Sequence, residues 1–130
     1  MTRINLIPVL ELTDEHLLAE HRELKRIPSL IQKWKVNFEN IPEKFVLWTG
    51  HVKFFYDKLW FLKKRYIQLY EECKKRWFTV QDYIWNFDWI DEKFFWEFSP
   101  SKKDLEISKT RIREKLDAKS GFYKYYRKNI

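Results

Sequence analysis

HVKFFYDKLWFLKKRYIQLYEEC, residues 51–73, sets Val52, Phe55, Leu59, Leu62, Tyr66, Leu69 and Cys73 at spacings that alternate between three and four. Residues so spaced share one face of an α-helix, so the stretch predicts a single long amphipathic helix with a core-facing stripe. Lys53, Lys63, Lys64 and Arg65 lie away from the stripe. Upstream, Pro42 and Gly50 bracket a connecting stretch, IPEKFVLWTG. Before that a first helix is expected from Thr13 or Asp14, both good N-caps, through EHLLAEHRELKR, with Pro28 breaking or kinking it. Leu17, Leu24 and Ile31, seven apart, form its buried side, and His16, Arg22, Glu23 and Arg26 share an arc of roughly 120° on the other. Residues 2–12 carry six apolar side chains and Pro8, and read as an extended or irregular arm pinned into the body.

Downstream, the aromatic-crowded stretch from Trp77 to Phe98 shows no clean period and reads as loop with short helical turns. Ser99 and Pro100 announce a third helix, with Ser101 and Asp104 spaced as a capping box and an end near Ala118, followed by Gly121 and the tail FYKYYRKNI. The expected fold is all-α: one compact domain, 1–130, of about three main helices with an N-terminal arm threaded between them and one irregular aromatic segment.

Composition bounds the function. At 130 residues the chain has the size of one domain. Its 26 Lys and Arg against 19 Asp and Glu give +7, which points to a polyanion, nucleic acid foremost, although a solubility device or a membrane-surface patch has the same signature. Cys73 alone excludes an internal disulfide and a cysteine zinc site, and suits a reducing compartment. Two glycines exclude a glycine-rich phosphate loop. His16, His21 and His51 lack partners at zinc-site spacing, so no metal site is expected. The opening MTRINLIPVL has no apolar core of a signal peptide, and a soluble, cytoplasmic protein without a membrane span is expected.

The N-terminus offers a different chemistry. Initiator Met is commonly excised before a small residue, and Thr2 is small, so the chain could present a free α-amine beside Arg3. Such an amine titrates near 7.7–8.0, leaving about a tenth unprotonated and nucleophilic at pH 7, and guanidinium groups nearby would increase that fraction. The plain alternative is a frayed, inert terminus with solvated helix charges.

MTRINL, EHLLAEHRELKR, GHVKFFYDKL followed by FLKKR, and the terminal YKYY together resemble the phage-type pyrimidine-dimer DNA glycosylase/AP lyase family, the dimer-specific endonuclease V, over about half of the chain. The resemblance implies a DNA-repair enzyme whose Thr2 amine attacks C1′ at the dimer's 5′ nucleotide, forms an imine and opens the strand to β-elimination. It assigns Glu23 as the catalytic carboxylate and needs no metal or cofactor. It places Arg3, His16, Arg22, Arg26, Arg111, Lys115, Lys119, Phe122, Tyr123 and Lys124 at DNA, with Phe122 where a Trp is familiar. Core packing is the alternative for the rings, and solvated charge for the cations. The implied partner is double-stranded DNA containing pyrimidine dimers or abasic sites, acted on by a monomer on viral or host DNA, as part of the nucleoid. The GHVKFFYDKL block reads as structural. Glu15, where an amide is familiar, and His21, where a Tyr is, alter the neighbourhood of the lesion. Two alternatives share these features: an enzyme of the same chemistry for another lesion or abasic sites, and a noncatalytic basic DNA-binding protein.

Overall fold

The N-terminal arm lies inside the protein rather than on it. In the computed structural model, which describes residues 2–129, Ile4, Leu6, Ile7 and Leu12 are buried, and the backbone between them is bonded from several sides. Ile4 N donates to His51 Nε2 (2.9 Å), Asn5 N to Glu20 Oε1 (3.1 Å) and Leu6 N to Ser108 Oγ (3.3 Å), while Arg65 Nη1 donates to Ile7 O (2.6 Å). An extended segment has no internal bonds for these groups, so partners from the helices are what make its burial affordable.

Helix α1 (Asp14–Leu24) starts where Thr13, in extended conformation, accepts from His16 N (3.2 Å). It buries Leu17 and Leu24 as expected, and also Glu20 and His21. Pro28 does break the helix, one turn early. Lacking an N–H, it cannot close a bond onto Leu24 O, so α1 ends there and α2 (Arg26–Gln32) begins with Pro28 in its first turn, where no such bond is needed.

The single helix expected over 51–73 is two: α3 (His51–Phe54) and α4 (Leu59–Lys75). Residues 55–58 tighten into turns closed across three residues, among them Lys58 N to Phe55 O (3.0 Å), and Lys58 leaves the helical region at φ −120°, ψ 40°. The cause lies across the chain. Lys58 pairs with Phe95 in an antiparallel bridge and Trp96 N donates to Asp57 O (3.1 Å), so the aromatic segment takes backbone groups that a continuous helix would use itself. The stripe still works, because Phe55, Leu59, Leu62, Tyr66, Leu69 and Cys73 all enter one contiguous core. Burial also pushes the Cys73 thiol up to about 11, so it stays protonated and packs as a small apolar group.

Arg65, although it lies away from the apolar stripe, is buried. Its guanidinium grips Glu20 through Nε to Oε2 (2.6 Å) and Nη2 to Oε1 (3.0 Å), and Asn5 Nδ2 adds a bond to Oε1 (3.0 Å). Arg76 repeats the pattern at the other end of α4, donating to Glu72, Asp14 and the carbonyls of Val9, Leu10 and Leu12. Two buried guanidinium forks thus hold the two ends of the arm.

Between α4 and the last helix, the aromatic segment forms short 3₁₀ turns at Ile84–Phe87 and Glu92–Phe94. Helix α5 (Lys102–Ala118) has the expected capping box, with Asp104 N donating to Ser101 Oγ (3.1 Å) and Ser101 N to Asp104 Oδ2 (3.0 Å). The tail is a folded hairpin: β1 (Lys124–Tyr125) pairs antiparallel with β2 (Lys128–Asn129). Its turn residues Tyr126 and Arg127 both have positive φ (50° and 67°), an uncommon conformation for such side chains. Asp14 offsets it by accepting from Tyr126 N (3.0 Å) and Arg127 N (2.6 Å), and Tyr126 Oη donates to Glu72 (2.8 Å).

Candidate active site and nucleic-acid interface

His16, Ala19, Glu20 and Glu23 recur every three or four residues along α1 and form one wall of a cleft of about 240 Å³. Arg3 and Asn5 of the arm roof it, Arg111, Ile112 and Lys115 of α5 face it, and Tyr123 closes one end. Six of the expected site residues therefore converge: Arg3, His16, Glu23, Arg111, Lys115 and Tyr123. Sequence reasoning missed Asn5, Ala19, Glu20 and Ile112. The same helical spacing that joins His16 to Glu23 would have found Ala19, whose small side chain leaves the wall open.

Of the two carboxylates in the cleft, Glu20 is engaged by Arg65 and Asn5, whereas among the described residues Glu23 meets only Arg22 Nη2, at 3.4 Å. Glu23 is largely sheltered (side chain 16% exposed) and Arg22 largely solvated (60%). Glu23 is thus the carboxylate left available to a ligand.

His16 is not a cation. Burial lowers its pKa, Glu15 opposes this, and Arg111 and Lys115 reinforce it, so the ring is neutral near pH 7. It stacks on Tyr123 (centroids 4.8 Å apart, planes within 7°) and shares a 2.7 Å hydrogen bond between Nδ1 and Thr13 Oγ1. Burial and the like charge of Arg111 also lower the Arg3 pKa, although a guanidinium keeps its proton. The cations of the cleft, Arg3, Arg111 and Lys115, together favour an anion there.

The remaining expected residues lie outside the cleft lining. Thr2 is buried and lines a neighbouring cavity with Trp48, Gly50 and His51, one residue before Arg3 in the chain. Met1, whose removal would free the Thr2 amine, lies outside the described residues. Arg26 is exposed at the start of α2, beyond Glu23. Lys119 and Phe122 are exposed past the end of α5, with the ammonium 5.2 Å from the ring centroid. Lys124 is exposed, and its backbone N donates to Glu15 Oε1 (2.8 Å), which gives Glu15 a role in holding the tail. His21 lies outside the cleft lining, buried against Tyr66 and the partly buried Tyr70 and Tyr83, bonding Tyr66 Oη at 3.0 Å.

His51 sets the position of the arm at this site. Its Nδ1 donates to Val46 O (2.7 Å), which leaves Nε2 as the acceptor for Ile4 N. Burial holds its pKa down to about 4, against the pull of the Val46 carbonyl and with help from Arg3 and Arg111. An unfolded histidine titrates near 6.5, so between pH 6.5 and 4 the unfolded chain binds a proton that the folded chain refuses. The stabilisation is complete above pH 6.5 and is lost as the pH falls toward 4, on the order of 3 kcal/mol in all. Denaturant unfolding at pH 7.5 and pH 4.5 should show this loss, and His51→Gln should flatten the slope. An unchanged slope in the variant would assign the pH dependence to other groups.

Among the described residues no three His, Cys, Asp or Glu side chains converge as a metal-ligand set, and no helix is long and apolar enough to cross a membrane. A sheltered carboxylate in a cleft shared with Arg3, Arg111 and Lys115, on an all-α body of net charge +7, suits a polyanionic partner. A family model described as pyrimidine dimer DNA glycosylase matches residues 1–85, and the chain belongs to that family of DNA-repair enzymes. The matched part holds the arm, α1 and α4; Arg111, Lys115 and Tyr123 lie beyond it.

Proposed function

We propose that the protein recognises pyrimidine dimers in duplex DNA, cleaves the glycosidic bond with the α-amine of Thr2 once Met1 is removed, and then nicks the strand as an AP lyase. The observation that carries this reading is the placement of Glu23 in the same cleft as Arg3, the residue next to Thr2. Adjacent Cα atoms are about 3.8 Å apart, so an amine at residue 2 is within one residue's reach of that cleft.

The amine lone pair forms the N–C1′ bond as the C1′–base bond breaks, and the base leaves with the electron pair and takes up a proton. Loss of the amine proton and opening of the sugar ring give the imine. Removal of a C2′ proton then expels the 3′ phosphate by β-elimination. Glu23 has two parts in this: its charge stabilises the cationic sugar, and its oxygen accepts the C2′ proton. Arg3, Arg111 and Lys115 hold phosphates and, as neighbouring cations, keep the amine partly unprotonated. Arg22 and Arg26 extend the contact along α1 and α2. Lys119, Phe122 and Lys124 extend it along the tail. Neutral His16, stacked on Tyr123, gives a polar aromatic wall rather than a charge. No metal or cofactor enters, and the protein acts as a monomer on DNA in the cytoplasm or nucleoid.

Borohydride trapping tests the mechanism. Protein shown by intact mass to begin at Thr2 should form a covalent adduct with dimer-containing and with abasic duplex, and protein retaining Met1 should form none. Absence of any adduct with the processed protein rejects the imine. Trapping on abasic DNA alone would instead favour an enzyme for other lesions.

A further inference from the structure

We propose that Trp48 and the facing side of α5 form a nucleotide subsite beside the cleft, in which an unstacked nucleobase lies on the indole and its phosphate is held by Arg111 and Lys115. This rests on the DNA reading above and adds a contact that the reading does not assign. Trp48 is 68% exposed although large and apolar, and it stands where the arm, the 42–50 connection and α5 meet. Two cations already use its ring: the Arg3 guanidinium lies 5.0 Å from the centroid and that of Arg111 5.4 Å. The indole thus joins the arm to α5 through the two guanidinium groups, and it keeps most of its own surface in solvent.

Beneath it runs a second cleft of about 740 Å³, floored by Leu47, Ile107, Thr110 and Ala118 and sharing Arg111 and Lys115 with the first. An apolar floor with a cationic edge suits a planar ring that carries a phosphate. A bare anion is a poor occupant, because Glu106 and Glu114 also face this space. The Arg111 guanidinium is not used up within the protein, since its Nε has no acceptor among the described residues.

The test is equilibrium binding to a duplex that carries a stable tetrahydrofuran abasic analogue with 2-aminopurine opposite it. Binding to this analogue needs no amine, so failure of the imine chemistry leaves the readout intact. The parent should bind it more tightly than undamaged duplex, with the 2-aminopurine emission quenched in the complex. Trp48→Ala should bind about tenfold more weakly and give brighter emission at saturation, while Trp48→Phe, which keeps a ring, should stay close to the parent. A thermal melt of Trp48→Ala near that of the parent excludes misfolding as the cause. If Trp48→Ala matches the parent in affinity and emission, the subsite is rejected and the DNA reading stands. If the parent itself does not prefer the analogue duplex, both fall.

Discussion

Glu23→Gln should bind lesion-containing duplex within a few-fold of the parent and turn it over slower by a factor of roughly 10² to 10⁴. Glutamine keeps the size and one acceptor oxygen of the side chain, so the cleft and the loose 3.4 Å contact with Arg22 lose little. In the proposed mechanism, what goes is the negative charge beside the cationic sugar and the base that accepts a proton, both of which would act only after binding. Gel-shift affinity together with single-turnover nicking at saturating protein separates the two effects. Because Glu20 is committed to Arg65 and Asn5, it offers no substitute carboxylate. Strand cleavage near the parent rate would take Glu23 out of the mechanism.

Arg65→Met should have the largest effect on folding. It removes the fork from Glu20 and strands a buried carboxylate, a change that costs about 3–5 kcal/mol and lowers Tm by roughly 10–20 °C. Glu20→Gln strands the guanidinium instead and should fall in the same direction. The pair Glu20→Leu with Arg65→Met should recover much of the loss, because two apolar side chains leave no unpaired charge, although Asn5 and Ile7 O still lose partners. Thermal unfolding of the two single variants and the double variant is the check. Additive losses in the double would mean that the pair is not the unit of stability.

Much of this fold is legible in the sequence, for reasons that can be located. The arm announces itself by Ile4, Leu6, Ile7 and Leu12 around Pro8, and the last helix by Ser101 and Asp104, because apolar pattern and local capping act within a few residues. The buried ions are not so legible. On a helical projection Glu20 sits roughly 60° from Glu23 and roughly 40° from Leu24, and Arg65 is roughly 40° from Leu69. Each lies at the edge of its stripe, where spacing alone cannot tell a solvated charge from a paired one. The break at 55–58 was hidden because its cause, the strand-like pairing with Phe95 and Trp96, lies almost forty positions away. The tail hairpin was hidden because Tyr126 and Arg127 stand where Gly or Asn would mark the turn. The cleft shows the same division. Residues on one helix, His16 and Glu23, can be grouped by period, but only the fold brings Arg3, Arg111 and Tyr123 to them.

The arm is anchored at Ile4 by His51, at Asn5 and Ile7 by the Glu20–Arg65 pair, and from Val9 to Leu12 by Arg76. A span tied down so often is a stiff tool, and when a stiff body meets a softer one, the softer takes on the shape. The compliance needed to bring a sugar to residue 2 would then come from the duplex. Discrimination between damaged and intact DNA would become a measurement of how easily each sequence yields, made against a gauge that does not itself bend.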